Sequence, residues 1–149
     1  WGYDFDPHLD YEQSKLWFEN YAGITNSVST SINSIAYHDA AYLTNTINKL
    51  QSHNDVNSII VVSHTVPTSM LTNHDTELSG QWRYNCLGNQ HMLLALKEDI
   101  KNKIKVWCFG HYHKPVDQYL NNIRYTSNPR GRGNTPWCQS VYYPKRITV

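Results

Sequence analysis

Three histidines carry the most legible chemistry in this sequence. Lys105-Val-Trp-Cys-Phe-Gly-His-Tyr-His113 is an apolar run leading into two histidines one residue apart. Upstream, Ser58-Ile-Ile-Val-Val-Ser-His64 repeats the design. Neutral imidazole nitrogen is a ligand for zinc, iron, nickel and, less strongly, manganese. Alternate residues on an extended segment lie ~6.6 Å apart at the Cα, on one face. His111 and His113 can therefore chelate one ion or give one ligand to each of two ions ~3.5–4 Å apart. Three neutral imidazoles bring no negative charge, whereas two close divalent ions need bridging carboxylates or hydroxide to offset their repulsion. Either the site holds one ion, or carboxylates come from another segment. Gly110 is expected to let the backbone turn sharply just before the pair.

The elements that must position these side chains follow from hydrophobic period. Both histidine runs are short, apolar and β-rich, so both read as buried strands, at 57–63 and 104–110. Between them lies a long polar connection from Thr65 to Asn89, expected to shape a site, with Trp82 and Tyr84 as lining residues. A helix is expected from Gln90 to Lys103, capped by Asn89 and buried through Met92, Leu93, Leu96 and Ile100. Strand, loop, helix, strand is a βαβ unit, which implies a parallel pair. His64 then shares a carboxyl sheet edge with His111 and His113, the edge where open α/β sheets bind ligands.

Before this unit, Ala36, Ala40, Leu43, Ile47 and Leu50 recur at helical steps and predict an amphipathic helix over 36–52, capped by Ser34. Residues 1–8 read as a loop turning at Asp6-Pro7. A short helix over Leu9–Tyr21 would present Leu16, Trp17 and Tyr21, and Gly23–Asn33 reads as a polar loop. After the unit, 117–120 and 123–127 predict a hairpin, because Asn121-Asn122 suits a tight turn with positive φ. Asn128-Pro-Arg-Gly-Arg132 breaks it. Val141-Tyr-Tyr143 and Arg146-Ile-Thr-Val149 read as closing strands. Trp107 and Phe109 are expected in the core.

Composition sets the outer bounds. At 149 residues the chain is long enough for one domain with a core, and no repeat or linker divides it. Thirteen basic residues nearly balance twelve acidic ones, which argues against an electrostatic nucleic-acid binder. No apolar run approaches the ~20 residues that span a bilayer. Cys86, Cys108 and Cys138 are odd in number and irregularly spaced, unlike a disulfide framework or a zinc cluster. Cys108 reads as a small buried hydrophobe. Compartment and oligomeric state are not indicated.

Val62-Ser-His64 with Pro67, then Phe109-Gly-His-Tyr-His113, then Tyr125-Thr-Ser-Asn-Pro-Arg-Gly131 form an ordered set. This set resembles the C-terminal half of a calcineurin-like metallophosphoesterase. The resemblance implies an α/β fold, a four-layer αββα sandwich present here as its C-terminal portion, with the upstream portion missing before Trp1. It implies two divalent metal ions, manganese, iron or zinc, and a phosphomonoester or phosphodiester substrate. His64 and His111 would ligate the second metal and His113 the first. A metal-bridging hydroxide would attack phosphorus in line with the leaving oxygen. Arg130 would contact substrate phosphate by its planar fork. The alternative for Arg130 is a solvated side chain on a turn set by Pro129 and Gly131.

The sequence also departs from the family pattern. The signatures Asp-x-His, Gly-Asp-x-x-Asp and Gly-Asn-His-Asp/Glu should precede the counterpart of His64. Asp6-Pro-His8 matches the first in letters, but no strand precedes it. Asn73-His-Asp75 imitates the third in the wrong order, and Gly88-Asn-Gln-His91 reads better as a helix start. Thr65 stands where many members have a second histidine, and Arg132 where an aromatic often follows. Two rival readings remain: a non-catalytic interaction module on the same fold, and a mononuclear site of three histidines and a water.

Overall fold

In the computed structural model, residues 26–72, 87–131 and 141–149 are described, with Leu16, Asn20, Gly133 and Cys138. They form an α/β arrangement in which two helices pack on a four-stranded mixed sheet. The expected helix at 9–21 and the lining residues Trp82 and Tyr84 fall mostly outside these residues. Leu16 is helical but more than half exposed, so it does not belong to a buried stripe.

The first helix, α1, runs over Asn26–Ser52 and so begins well before the expected start. Ser34 lies inside it, exposed, and caps nothing. Serine, threonine and asparagine cost only a few tenths of a kcal/mol each in a helix, about 0.5 relative to alanine, so a polar run does not by itself make a loop. Threonine hydroxyls also find partners one turn back: Thr44 Oγ1 donates to the Ala40 carbonyl and Thr46 Oγ1 to the Tyr42 carbonyl, both at 2.8 Å. Ala36, Ala40 and Ile47 are buried as expected. Leu50 is exposed instead, and Gln51 takes the inward place. Its amide donates to Asn48 Oδ1 at 2.8 Å and to the Glu98 carbonyl, and its carbonyl oxygen accepts from Lys101 N. A polar side chain is thus the clasp between the two helices.

Strand β1 (Ile59–Ser63) leads from α1, and after the connection comes the second helix, α2 (Leu93–Glu98). A 3-10 turn, Gln90–Met92, precedes α2, and Asn89 Oδ1 caps it by accepting from His91 N. The helix stops well short of Lys103. The Asp99 carboxylate accepts from Lys103 N at 2.9 Å and Ile104 N at 2.8 Å, which diverts those donors from a helical ladder. Asn102 takes a positive φ there, and Ile100 is exposed rather than buried. Ala95, not foreseen, is fully buried in its stead.

Strands β2 (Ile104–Phe109), β3 (Val116–Leu120) and β4 (Ile123–Ser127) complete the sheet in the order β1-β2-β4-β3. β1 and β2 are parallel, as the βαβ pattern requires, and β3 and β4 form the expected antiparallel hairpin. Its two turn residues, Asn121 and Asn122, both have positive φ (49° and 65°). Trp107 is fully buried and stacks on Tyr125 at 6.1 Å between centroids. Burial pushes the Tyr125 phenol up to about 12.

The sheet's two faces differ. One packs against the helices. On the other, Ile60 is 49 % and Val62 77 % exposed, so β1 is a half-buried edge strand rather than a buried one. Cys108 is only half-buried, on this same outer face, beside the 141–149 segment. That segment adds no strands. It is held by side chains instead: Asn128 Nδ2 donates to the Tyr143 carbonyl at 2.9 Å, and Lys145 pairs with Asp117. Pro144 lacks the N–H that a ladder would need there. Among the described residues no helix is long and apolar enough to cross a membrane.

Candidate functional site

Register decides what the sheet edge presents. Ser63 pairs with Phe109, so the next residues, His64 and Gly110, leave their strands at the same level. Gly110 N donates to the His64 carbonyl at 3.0 Å, which carries the parallel pairing one step past the strands. One residue on, the His111 ring meets the His64 ring edge-on, with centroids 5.0 Å apart and planes at 60°. Two histidines 47 positions apart in sequence thus converge because two short strands run parallel. His64 is exposed, and His111 and His113 are half-buried.

The sharp turn lies one residue later than expected. Gly110 does not adopt a positive φ, whereas His111 and His113 both do, at 62°. Tyr112 N donates to the Gly110 carbonyl at 2.7 Å, closing a γ-turn centred on His111. The positive-φ form of this turn is the rarer and more strained one. A side chain in this region costs about 1–2 kcal/mol, a strain that tends to sit at functional positions. A Cβ on Gly110 would meet the His64 carbonyl oxygen at 3.4 Å and His64 Nδ1 at 3.7 Å, ordinary contact distances, so only a larger side chain would crowd the His64 ring.

Between the two strained histidines, Tyr112 turns inward and is buried. Its hydroxyl donates to the Thr72 carbonyl at 3.4 Å, tying the histidine loop to the connection after His64. That connection is itself anchored. Thr65, Val66 and Thr68 are buried, and Val66 bridges to Gly88. Asn89, fully buried, donates from Nδ2 to the Ala36 carbonyl at 2.8 Å, fastening the far end of the connection to α1. Ser63 Oγ accepts from Trp107 Nε1 at 2.9 Å and donates to the Thr65 carbonyl at 2.8 Å, fixing the residues on both sides of His64. Sequence reasoning missed Tyr112 and Asn89 as anchors. Asn89 carried a signal only for its capping role.

Arg130 is exposed, on the turn after β4, next to Gly131 at φ 84°. Asp6, His8 and Asn73-His-Asp75 lie outside the described residues. Gly88-Asn-Gln-His91 is a helix start, as its letters suggested.

The donors fit a metal in part. His64 and His111 are neutral-ligand donors close enough to serve one coordination shell. Among the described residues, however, no three His, Cys, Asp or Glu side chains are gathered tightly enough to hold an ion by themselves. A closed shell therefore needs His113 to swing towards the pair, or ligands from elsewhere. Compared with family models, with curated proteins and with solved structures, the chain matches none.

Proposed function

We propose that the chain is the C-terminal portion of a calcineurin-like metallophosphoesterase domain, a hydrolase of phosphomonoesters or phosphodiesters. The observation that carries this reading is the 5.0 Å approach of the His64 and His111 rings at the carboxyl edge of a parallel pair. The strained γ-turn that delivers His111 supports it, because strain at an imidazole suits a ligand better than a surface residue. The sheet face bearing exposed Ile60 and Val62 supports the larger architecture. One helix layer and one sheet are half of an αββα sandwich, and the exposed aliphatic side chains at the β1 end of the outer face suit cover by a second sheet ~10 Å away, while the β3–β4 end of that face carries the Asp117–Arg124 pair.

His64, His111 and His113 would hold divalent ions, manganese, iron or zinc. Bound ions would supply Lewis-acid polarisation of the phosphoryl oxygens and an activated water. The chain's own residues orient the imidazoles: Gly110 leaves room for the His64 ring, and Tyr112 pins the loop. Arg130 would meet a phosphate oxygen. Carboxylate ligands would come from chain outside the described residues.

The test is cleavage of bis(p-nitrophenyl) phosphate by the full-length protein with manganese or zinc added. The expected result is metal-dependent release of p-nitrophenol that His113→Ala abolishes. Turnover unchanged by that substitution would overturn the assignment.

A further inference from the structure

A cavity of about 310 Å³ opens beside His64, between the middle of α1 and the end of β1. Asp39, Tyr42 and Leu43 line it from the helix, Val62 and His64 from the strand side, and Met92 from the turn before α2. Its walls are mainly apolar, and Asp39 supplies a negative charge. Tyr42 and Val62 are strongly exposed, so the cavity is reached from solvent, while Leu43 and Met92 are partly buried against the core.

We infer that this cavity receives the organic group of the ester, a single aromatic ring or short alkyl chain bearing a cation or hydrogen-bond donor. The inference rests on the phosphoesterase reading and adds the substrate class. Three observations carry it. His64 belongs both to the cavity wall and to the imidazole pair, so a phosphoryl group at the pair leaves its alcohol portion beside the cavity. The volume is at the low end for ligand pockets, roughly 300–1,000 Å³, which suits a single ring or short chain. The Asp39 carboxylate favours a positive or donating substituent and disfavours a second anion.

The experiment uses metal-free full-length protein, with 4-(aminomethyl)phenol and 4-hydroxybenzoate as probes. Binding is read from the NMR signals of the Met92 methyl and the His64 ring. The cationic phenol is expected to shift both signals and to bind about three-fold tighter than the anionic one, the modest preference of an exposed charge. Asp39→Asn should level the two. Met92→Trp, which fills the cavity, should weaken both by about ten-fold or more. Shifts that avoid Met92, or affinities untouched by Met92→Trp, would overturn the assignment.

The corresponding aryl phosphates keep the two readings apart. If the phenol binds as described and neither phosphate is cleaved with any divalent ion, the phosphoesterase reading fails, and with it the substrate assignment. If both phosphates are cleaved equally well and Met92 does not respond, the cavity assignment alone fails.

Discussion

Gly110 and His64 touch through backbone and through space at once. The Gly110 N–H donates to the His64 carbonyl at 3.0 Å, and a side chain on Gly110 would grow towards the His64 ring. The distances separate two substitutions. A methyl group reaches ordinary van der Waals contact, at 3.4 and 3.7 Å, so Gly110→Ala should fold with almost unchanged stability. The γ-branches of Gly110→Val go further and should displace the imidazole. Thermal melts and metal titration of both variants check this: Ala like wild type in both, Val weakened in metal affinity by about ten-fold or more. Equal metal affinity in the two variants would show that Gly110 does not set the His64 ring.

His111 gives a second contrast, because its backbone and its ring pull in opposite directions. At φ 62° a Cβ is unfavourable, and glycine is not. His111→Gly should therefore be about 1 kcal/mol more stable than His111→Ala, by chemical denaturation. Both should lose metal affinity alike. If the alanine variant is as stable as the glycine one, the γ-turn is not strained.

Asp117 makes stability fall in acid. Arg124 grips its carboxylate with two bonds, at 2.8 and 3.0 Å, and Lys145 adds a third from the C-terminal segment. Hydrogen bonds from Arg124, then from Lys145, hold the carboxyl well below the usual carboxylate range. A depressed folded pKa means the contribution is complete above the unfolded value, about 4, and is lost as pH falls towards the folded one. The carboxylate is partly exposed, so solvent screening leaves about 0.5 kcal/mol. Asp117→Asn should lower stability by that amount at pH 7 and flatten its decline below about pH 4. Parallel pH curves for the two proteins would contradict this account.

Much of the frame was legible because it rests on period and turn chemistry. The parallel pairing of β1 with β2 follows from two apolar runs with a helix between them, and the hairpin follows from Asn121-Asn122. What escaped depends on tertiary context. The start of α1 was hidden because serine and threonine are read as loop formers, although their propensity penalty in a helix is small. The end of α2 was hidden because Asp99 stops the helix with a carboxylate that any exposed aspartate would share in sequence. Exposure of Ile60 and Val62 depends on which strand lies at the sheet edge, and period alone does not say. At the site, the letters marked His64, His111 and His113. The strain at His111 and the anchoring by Tyr112 and Asn89 arise only once the chain is folded.

On the proposed reading, imidazoles from two neighbouring strands would grip divalent ions. Metal content per chain decides this, measured by inductively coupled plasma mass spectrometry after equilibration of the full-length protein with manganese or zinc and removal of free ion. Two ions per chain are expected, falling to one or none in His64→Ala, His111→Ala and His113→Ala. No bound metal in the wild type, or a content that all three substitutions leave unchanged, would refute the metal site.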